Sequence, residues 1–85
     1  MTALGQRSDA DRARAIGKLC VAADWACAHG DLLLLRSIAD RLASYTEGPL
    51  RYELVSFAER CLGDPVGVGA AWDRLKVQIS RSGEA

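Results

Sequence analysis

Two Gly-Asp dipeptides at a fixed offset constrain this chain more than any other feature. Gly30-Asp31 is followed by Asp40-Arg41-Leu42, and Gly63-Asp64 is followed by Asp73-Arg74-Leu75. The offsets 63 − 30 and 73 − 40 are both 33 residues. Self-similarity at that period marks stacked helical or mixed supersecondary units. The apolar residues here recur at three and four, and no stretch alternates in the manner of a half-buried strand. The sequence therefore predicts an all-α fold of four helices, arranged as two antiparallel helical hairpins in a small bundle or short solenoid. The expected layout is a disordered segment over 1–8, one helical domain over 9–80 and a frayed end over 81–85. The hairpins take about 9–46 and about 48–80.

Each helix carries a stripe. Ile16, Leu19, Cys20, Ala23, Ala26 and Cys27 mark the first, expected from about 9 to 29 with Ser8 as its cap and Asp9 and Asp11 in its first turn. Asp31 is placed to cap the second, whose core face is Leu35, Ile38, Ala39 and Leu42. Pro49 suits the opening turn of the third, which lines up Leu50, Leu54, Phe57, Ala58 and Cys61. Asp64-Pro65 reads as a cap and first-turn proline for a fourth helix from about 65 to 80, with Val68, Ala71, Trp72, Leu75 and Ile79 inward. Gly30 and Gly63 are both expected in the left-handed conformation that commonly ends a helix.

The apolar surplus is larger than one hairpin pair can bury. Trp25 or Ala22 lies outside the first stripe, Leu32 to Leu34 make the second helix apolar on several sides, and Val66, Ala70 and Val77 lie off the fourth stripe. An uncovered patch of that kind is usually hidden against another chain. A homodimer or an obligate complex is expected, with Leu33 and Trp25 as contacts.

The two hairpins resemble the tetratricopeptide repeat, a helix–turn–helix unit of about 34 residues. The likeness spans about residues 16–80. It rests on the Gly-Asp turns, on small residues at Ala23 and Ser56, and on Leu19 and Tyr52 at an earlier large position. The chain departs from that pattern at Ala26 and Glu59, where the family prefers an aromatic. It departs again at Leu35, Val68, Leu42 and Leu75, where the family prefers alanine, and it lacks the closing proline after both second helices. The resemblance implies a concave surface built from the first helix of each hairpin, placing Asp24, Cys27, Glu53, Phe57 and Arg60 together as partner-binding residues. Helical periodicity alone reads Phe57 and Cys27 as core.

Little in the sequence points to chemistry. Eleven basic residues balance eleven acidic ones, which removes the electrostatic footprint of a nucleic-acid or membrane-surface binder. The alternative of a helix-turn-helix DNA-binding regulator draws on the tight turns and on Arg12, Arg14 and Lys18. Against it, the second and fourth helices lack the polar residues that read base edges. Three cysteines, Cys20, Cys27 and Cys61, with polar Gln6 to Asp9 where an apolar leader core would lie, set the expectation of reduced thiols in a cytoplasmic protein. Cys20 and Cys27 stand two turns apart, about 10.5 Å, too far to chelate one ion by themselves. A site combining Cys27, His29 and Cys61 is conceivable, but buried thiols are commoner as small hydrophobes. His29 suits a helix C-terminus. Asp40-Arg41 and Asp73-Arg74 are expected to make surface salt links to the preceding helix. Gly67-x-Gly69 follows no strand and lacks a third glycine, so it is no nucleotide loop. The expectation is a small non-enzymatic interaction or adaptor module, of regulatory or chaperone type, with no catalytic residue, metal or cofactor and a protein or peptide as partner.

Overall fold

The structure, a computed structural model, describes the backbone of residues 2–84 and the side chains of residues 10–81. It contains four helices: α1 Thr2–His29, α2 Leu32–Ser44, α3 Gly48–Gly63 and α4 Val68–Glu84. No strand occurs among the described residues. At about 1.5 Å per residue, the 28 residues of α1 account for most of the molecule's 45 Å long axis.

Both expected frayed ends fall largely within helices. α1 begins at Thr2 rather than after Ser8, so the segment 2–8 expected to be disordered is helical and Ser8 lies inside the helix rather than at its start. Ala3, Leu4, Gln6 and Arg7 are strong helix formers, and extending an existing helix costs far less than nucleating one. α4 likewise runs on to Glu84 by extension of a helix already formed, despite Ser82 and Gly83. Met1 and Ala85 lie outside the described residues.

The two Gly-Asp turns differ. Gly30 is left-handed at φ 68°, and the Asp31 N–H reaches the Ala26 carbonyl at 2.9 Å. The Asp31 carboxylate then accepts from the Leu34 N–H at 3.1 Å, capping α2 as expected. Gly63 is an ordinary helical residue, contrary to expectation; the left-handed glycine of the second turn is Gly67, at φ 78°. The cause is Pro65. A residue before proline is pushed out of the helical region, and Asp64 sits at φ −148°, ψ 81°. The Asp64 N–H still bonds the Arg60 carbonyl at 2.8 Å, so Asp64 closes α3 instead of capping α4. The helix expected from residue 65 consequently starts at Val68.

The conformations set opposite outcomes for one substitution. Gly30→Ala forces an L-residue into the left-handed region and should lower stability by about 1 kcal/mol. Gly63→Ala meets nothing within 4 Å and replaces a helical glycine by the best helix former, so it should be neutral or stabilising, by up to about 1 kcal/mol. Urea denaturation midpoints of the two variants measure both signs.

The four helices form a ring. α2 packs on α1 and α3, and α4 packs on α3 and α1. Among the described residues, no Cα atoms approach within 8 Å across the α1–α3 or α2–α4 diagonals. Along α4, Val66 just before it meets Arg60 and Trp72 meets Phe57. These pairings run in opposite senses along the sequence, the order that an antiparallel α3–α4 pair requires.

The core is the set of predicted stripes almost residue for residue. Ala23, Ala26, Leu35, Ile38, Ala39, Leu42, Leu54, Phe57, Ala58, Cys61, Val68, Trp72, Leu75 and Ile79 are buried, and Ala43 joins them. Ile16, Leu19, Cys20, Cys27, Leu50 and Ala71 pack around its edge, partly buried. Five of the buried residues are alanines, small enough to let helix axes approach at the near end of the usual 8–10 Å. Thr46, between α2 and α3, is the one buried polar residue among those described, and its hydroxyl donates to the Ala43 carbonyl at 3.1 Å.

Candidate functional site

The ring leaves a long open seam between α3 and α4. Tyr52, Glu53, Ser56, Phe57 and Arg60 form one wall, and Ala71, Arg74, Leu75 and Gln78 form the other, around a hollow of about 440 Å³. That volume falls within the range of about 300–1,000 Å³ typical of ligand clefts. Phe57 and Leu75 are buried at its floor, while Tyr52 stands 75% exposed at its lip. Local sequence explains the wall: residues 53, 56, 57 and 60 repeat at three and four, so one face of α3 supplies them all.

Arg60 marks one end of the groove. Its guanidinium donates from Nη2 to the Val66 carbonyl at 3.0 Å, fixing the side chain across the α3–α4 turn. A Cβ at Gly67 would stand 3.3 Å from the same nitrogen, so the turn and the arginine are fitted to each other. Among the described residues, neither Arg60, Arg74 nor Glu53 has an oppositely charged group within 4.0 Å.

Asp24 belongs elsewhere. It lies on α1 and ties that helix to α4: the buried Trp72 indole N–H donates to its Oδ1 at 2.7 Å, and Lys76 Nζ meets the same oxygen at 2.9 Å. The Lys76 ammonium and the indole hold the Asp24 carboxyl below the usual carboxylate range, outweighing its slight desolvation. Asp24 correspondingly raises the Lys76 ammonium. A carboxylate with a depressed folded pKa adds stability above its unfolded value, near 4, and loses it as pH falls through the lower folded value. Acid titration of the folded state should therefore show a stability loss beginning below about pH 4 that is smaller in Asp24→Asn. Thermal melts of both proteins between neutral and acid pH read the difference.

The concave surface implied by the repeat resemblance is not formed. α1 and α3 occupy opposite corners, so Asp24 and Cys27 do not share a face with Glu53, Phe57 and Arg60. The reason is that α4 packs against α1 through Trp72 and Lys76, where stacked repeats would set first helix beside first helix. The other two candidate contacts are exposed and separate: Trp25 is 52% exposed on α1 and Leu33 is 70% exposed on α2. Trp25 stacks on His29 at 4.0 Å between ring centroids, and the His29 Nδ1–H donates to the Trp25 carbonyl at 2.8 Å. Val66, Ala70 and Val77 are exposed as expected, and Ala22 is half-buried.

The remaining candidates carry no reactive arrangement. Burial pushes the thiols of Cys20, Cys27 and Cys61 up, with Asp24 adding to the effect at the first two. They are protonated and weakly nucleophilic at neutral pH. All three are free. Among the described residues, no group of three or more His, Cys, Asp or Glu side chains is placed to hold a metal ion, so Cys27, His29 and Cys61 do not assemble. The expected salt links also differ: Asp73 pairs with Lys76 within α4 at 3.6 Å, and among the described residues neither Arg41 nor Arg74 makes an ion pair with the preceding helix. No described helix is long and apolar enough to cross a membrane.

Sequence reasoning missed Ala71, Arg74 and Gln78 as groove residues. Arg74 was visible only as part of a repeated Asp-Arg-Leu, and Ser56 only as a small packing residue. Which side of α4 faces α3 depends on tertiary pairing that no local spacing reports.

No family model matches the chain, and no curated protein or solved structure matches it either. Fold and groove are thus the only bases for a functional reading.

Proposed function

We propose that this chain is a small non-enzymatic protein–protein interaction module of adaptor type, working through the groove between α3 and α4. One observation carries the reading: the groove sets three expected contact residues, Glu53, Phe57 and Arg60, around an apolar floor, with charged walls that have no oppositely charged partner among the described residues. Grooves between helices are a recurrent seat for short peptide or helical segments. The reading no longer leans on a concave face shared by α1 and α3. A reduced, cytoplasmic setting suits three free cysteines.

Photo-crosslinking in the native cell tests the reading. A benzoyl-phenylalanine in place of Tyr52, at the groove lip, should give discrete adducts with another protein, while the same residue in place of exposed Arg51, which does not line the groove, should not. Adducts from neither position, or the same adducts from both, would contradict a groove-centred role.

The exposed Trp25 and Leu33 support a second element of this proposal, association of the chain with a copy of itself or with an obligate partner. Light scattering after size exclusion at micromolar concentration should show a dimer that Leu33→Asp shifts toward monomer. A single monomeric species of the unsubstituted chain would remove the homodimer and leave the partner-bound form.

A further inference from the structure

We propose that the α3–α4 groove takes an acidic amphipathic peptide segment, seating an apolar side chain over Phe57 and Leu75 and a carboxylate between Arg60 and Arg74. The inference rests on the interaction-module reading and names the chemistry of its partner. Three features on the molecule converge on it. The groove walls carry two arginines against one acid, Glu53, and neither arginine is paired with a carboxylate among the described residues. Guanidinium is the side chain best shaped for bidentate carboxylate binding. Arg60 uses one N–H on the Val66 carbonyl, which holds it in place and leaves further donors of its five for a ligand. A donor already fixed loses little rotamer entropy when it binds.

Length fits as well. The α3 wall runs from Tyr52 to Arg60 and the α4 wall from Ala71 to Gln78, eight and seven residue steps (60 − 52 and 78 − 71), about 12 and 10.5 Å of helix. That matches two turns of a docked helix, the reach of an i, i+3/i+4, i+7 anchor pattern. Burial of an anchor on Phe57 and Leu75 supplies affinity, and the arginines select its charged neighbour. Glu53 argues against a polyanion, because a phosphate backbone running the length of the groove would pass over it. The chain's balance of eleven basic and eleven acidic residues likewise withholds the non-specific attraction on which nucleic-acid binders depend.

The test is selection of a displayed random-peptide library, of about 12 residues so as to exceed two helical turns, on the full chain. Enriched peptides should pair Asp or Glu with Leu or an aromatic three or four positions away. Their affinity should fall roughly tenfold or more on Arg74→Glu and less on Arg74→Gln. Arg74 is exposed, and circular dichroism confirms that each variant is folded before it is compared. Enriched peptides that are basic or uncharged, yet protect Phe57 and Arg74 amides in NMR titration, would overturn the acidic partner while leaving the groove as an interaction site. Acidic peptides indifferent to both Arg74 variants would overturn the placement. A single-stranded oligonucleotide competing as well as the peptides at about 150 mM ionic strength would overturn the proposal in favour of a polyanion. Absence of any enriched peptide would overturn the proposal and the interaction reading together.

Discussion

Trp72→Ala is expected to lower the free energy of unfolding by about 3–5 kcal/mol, the range for emptying a large aromatic site in a packed core. Trp72 is 1% exposed, faces Phe57 at 6.0 Å between ring centroids and bonds Asp24 on α1. It is thus the side chain through which α4 holds both of its neighbours. A domain of this size has a total stability of roughly 5–10 kcal/mol, so the loss consumes a large share of it. Trp72→Phe separates the two contributions: it keeps most of the volume and removes the indole donor. Its cost should be well below that of the alanine variant and should shrink to that of the lost ring volume in an Asp24→Ala background, which leaves no acceptor for the indole N–H. Urea titrations of the three variants and the double variant supply the numbers.

The leucine run at the start of α2 provides the second large effect. Leu35→Ala should cost about 2–5 kcal/mol, because Leu35 is completely buried. Leu33→Ala, two positions earlier, should change the stability of the folded chain by no more than about 0.5 kcal/mol, because Leu33 lies on the outer face. The two residues are chemically identical, and only their angular position on the helix differs. Chemical denaturation at low protein concentration, where association is minimal, distinguishes them.

The four helices and their buried faces were legible because each stripe is local: three- and four-residue spacing states which side of a helix is apolar whatever it packs against. Leu35 and Leu33 are separated correctly by that rule, and Asp31 behaves as its position before an apolar run implies. Gly63 was not legible in the same way. The pattern Gly-Asp-Pro supports either a glycine-terminated helix or a proline-terminated one, and the restriction that Pro65 places on Asp64 decides it, moving the left-handed residue to Gly67. The ring arrangement lay further out of reach. Repeat spacing says that two hairpins exist but not which helices touch. The Asp24–Trp72 bond spans 48 residues, and it moves Asp24 from a binding surface to a seam. Glu53, Phe57 and Arg60 were grouped only through the repeat resemblance, although they share one face of α3, whereas Arg74 and Gln78 enter only once α4 is placed.

The groove exists because α4 lies between α1 and α3, and a nuclear Overhauser spectrum of the isotope-labelled chain measures that placement directly. The Trp72 indole N–H should show cross-peaks to Asp24 on α1, and the Trp72 ring to Phe57 on α3. No cross-peaks should join the α1 backbone near Ala23 and Ala26 to the α3 backbone near Leu54 and Ala58. Cross-peaks between those two backbones, with none from Trp72 to Asp24, would place the first helices side by side and contradict the ring and the groove built on it.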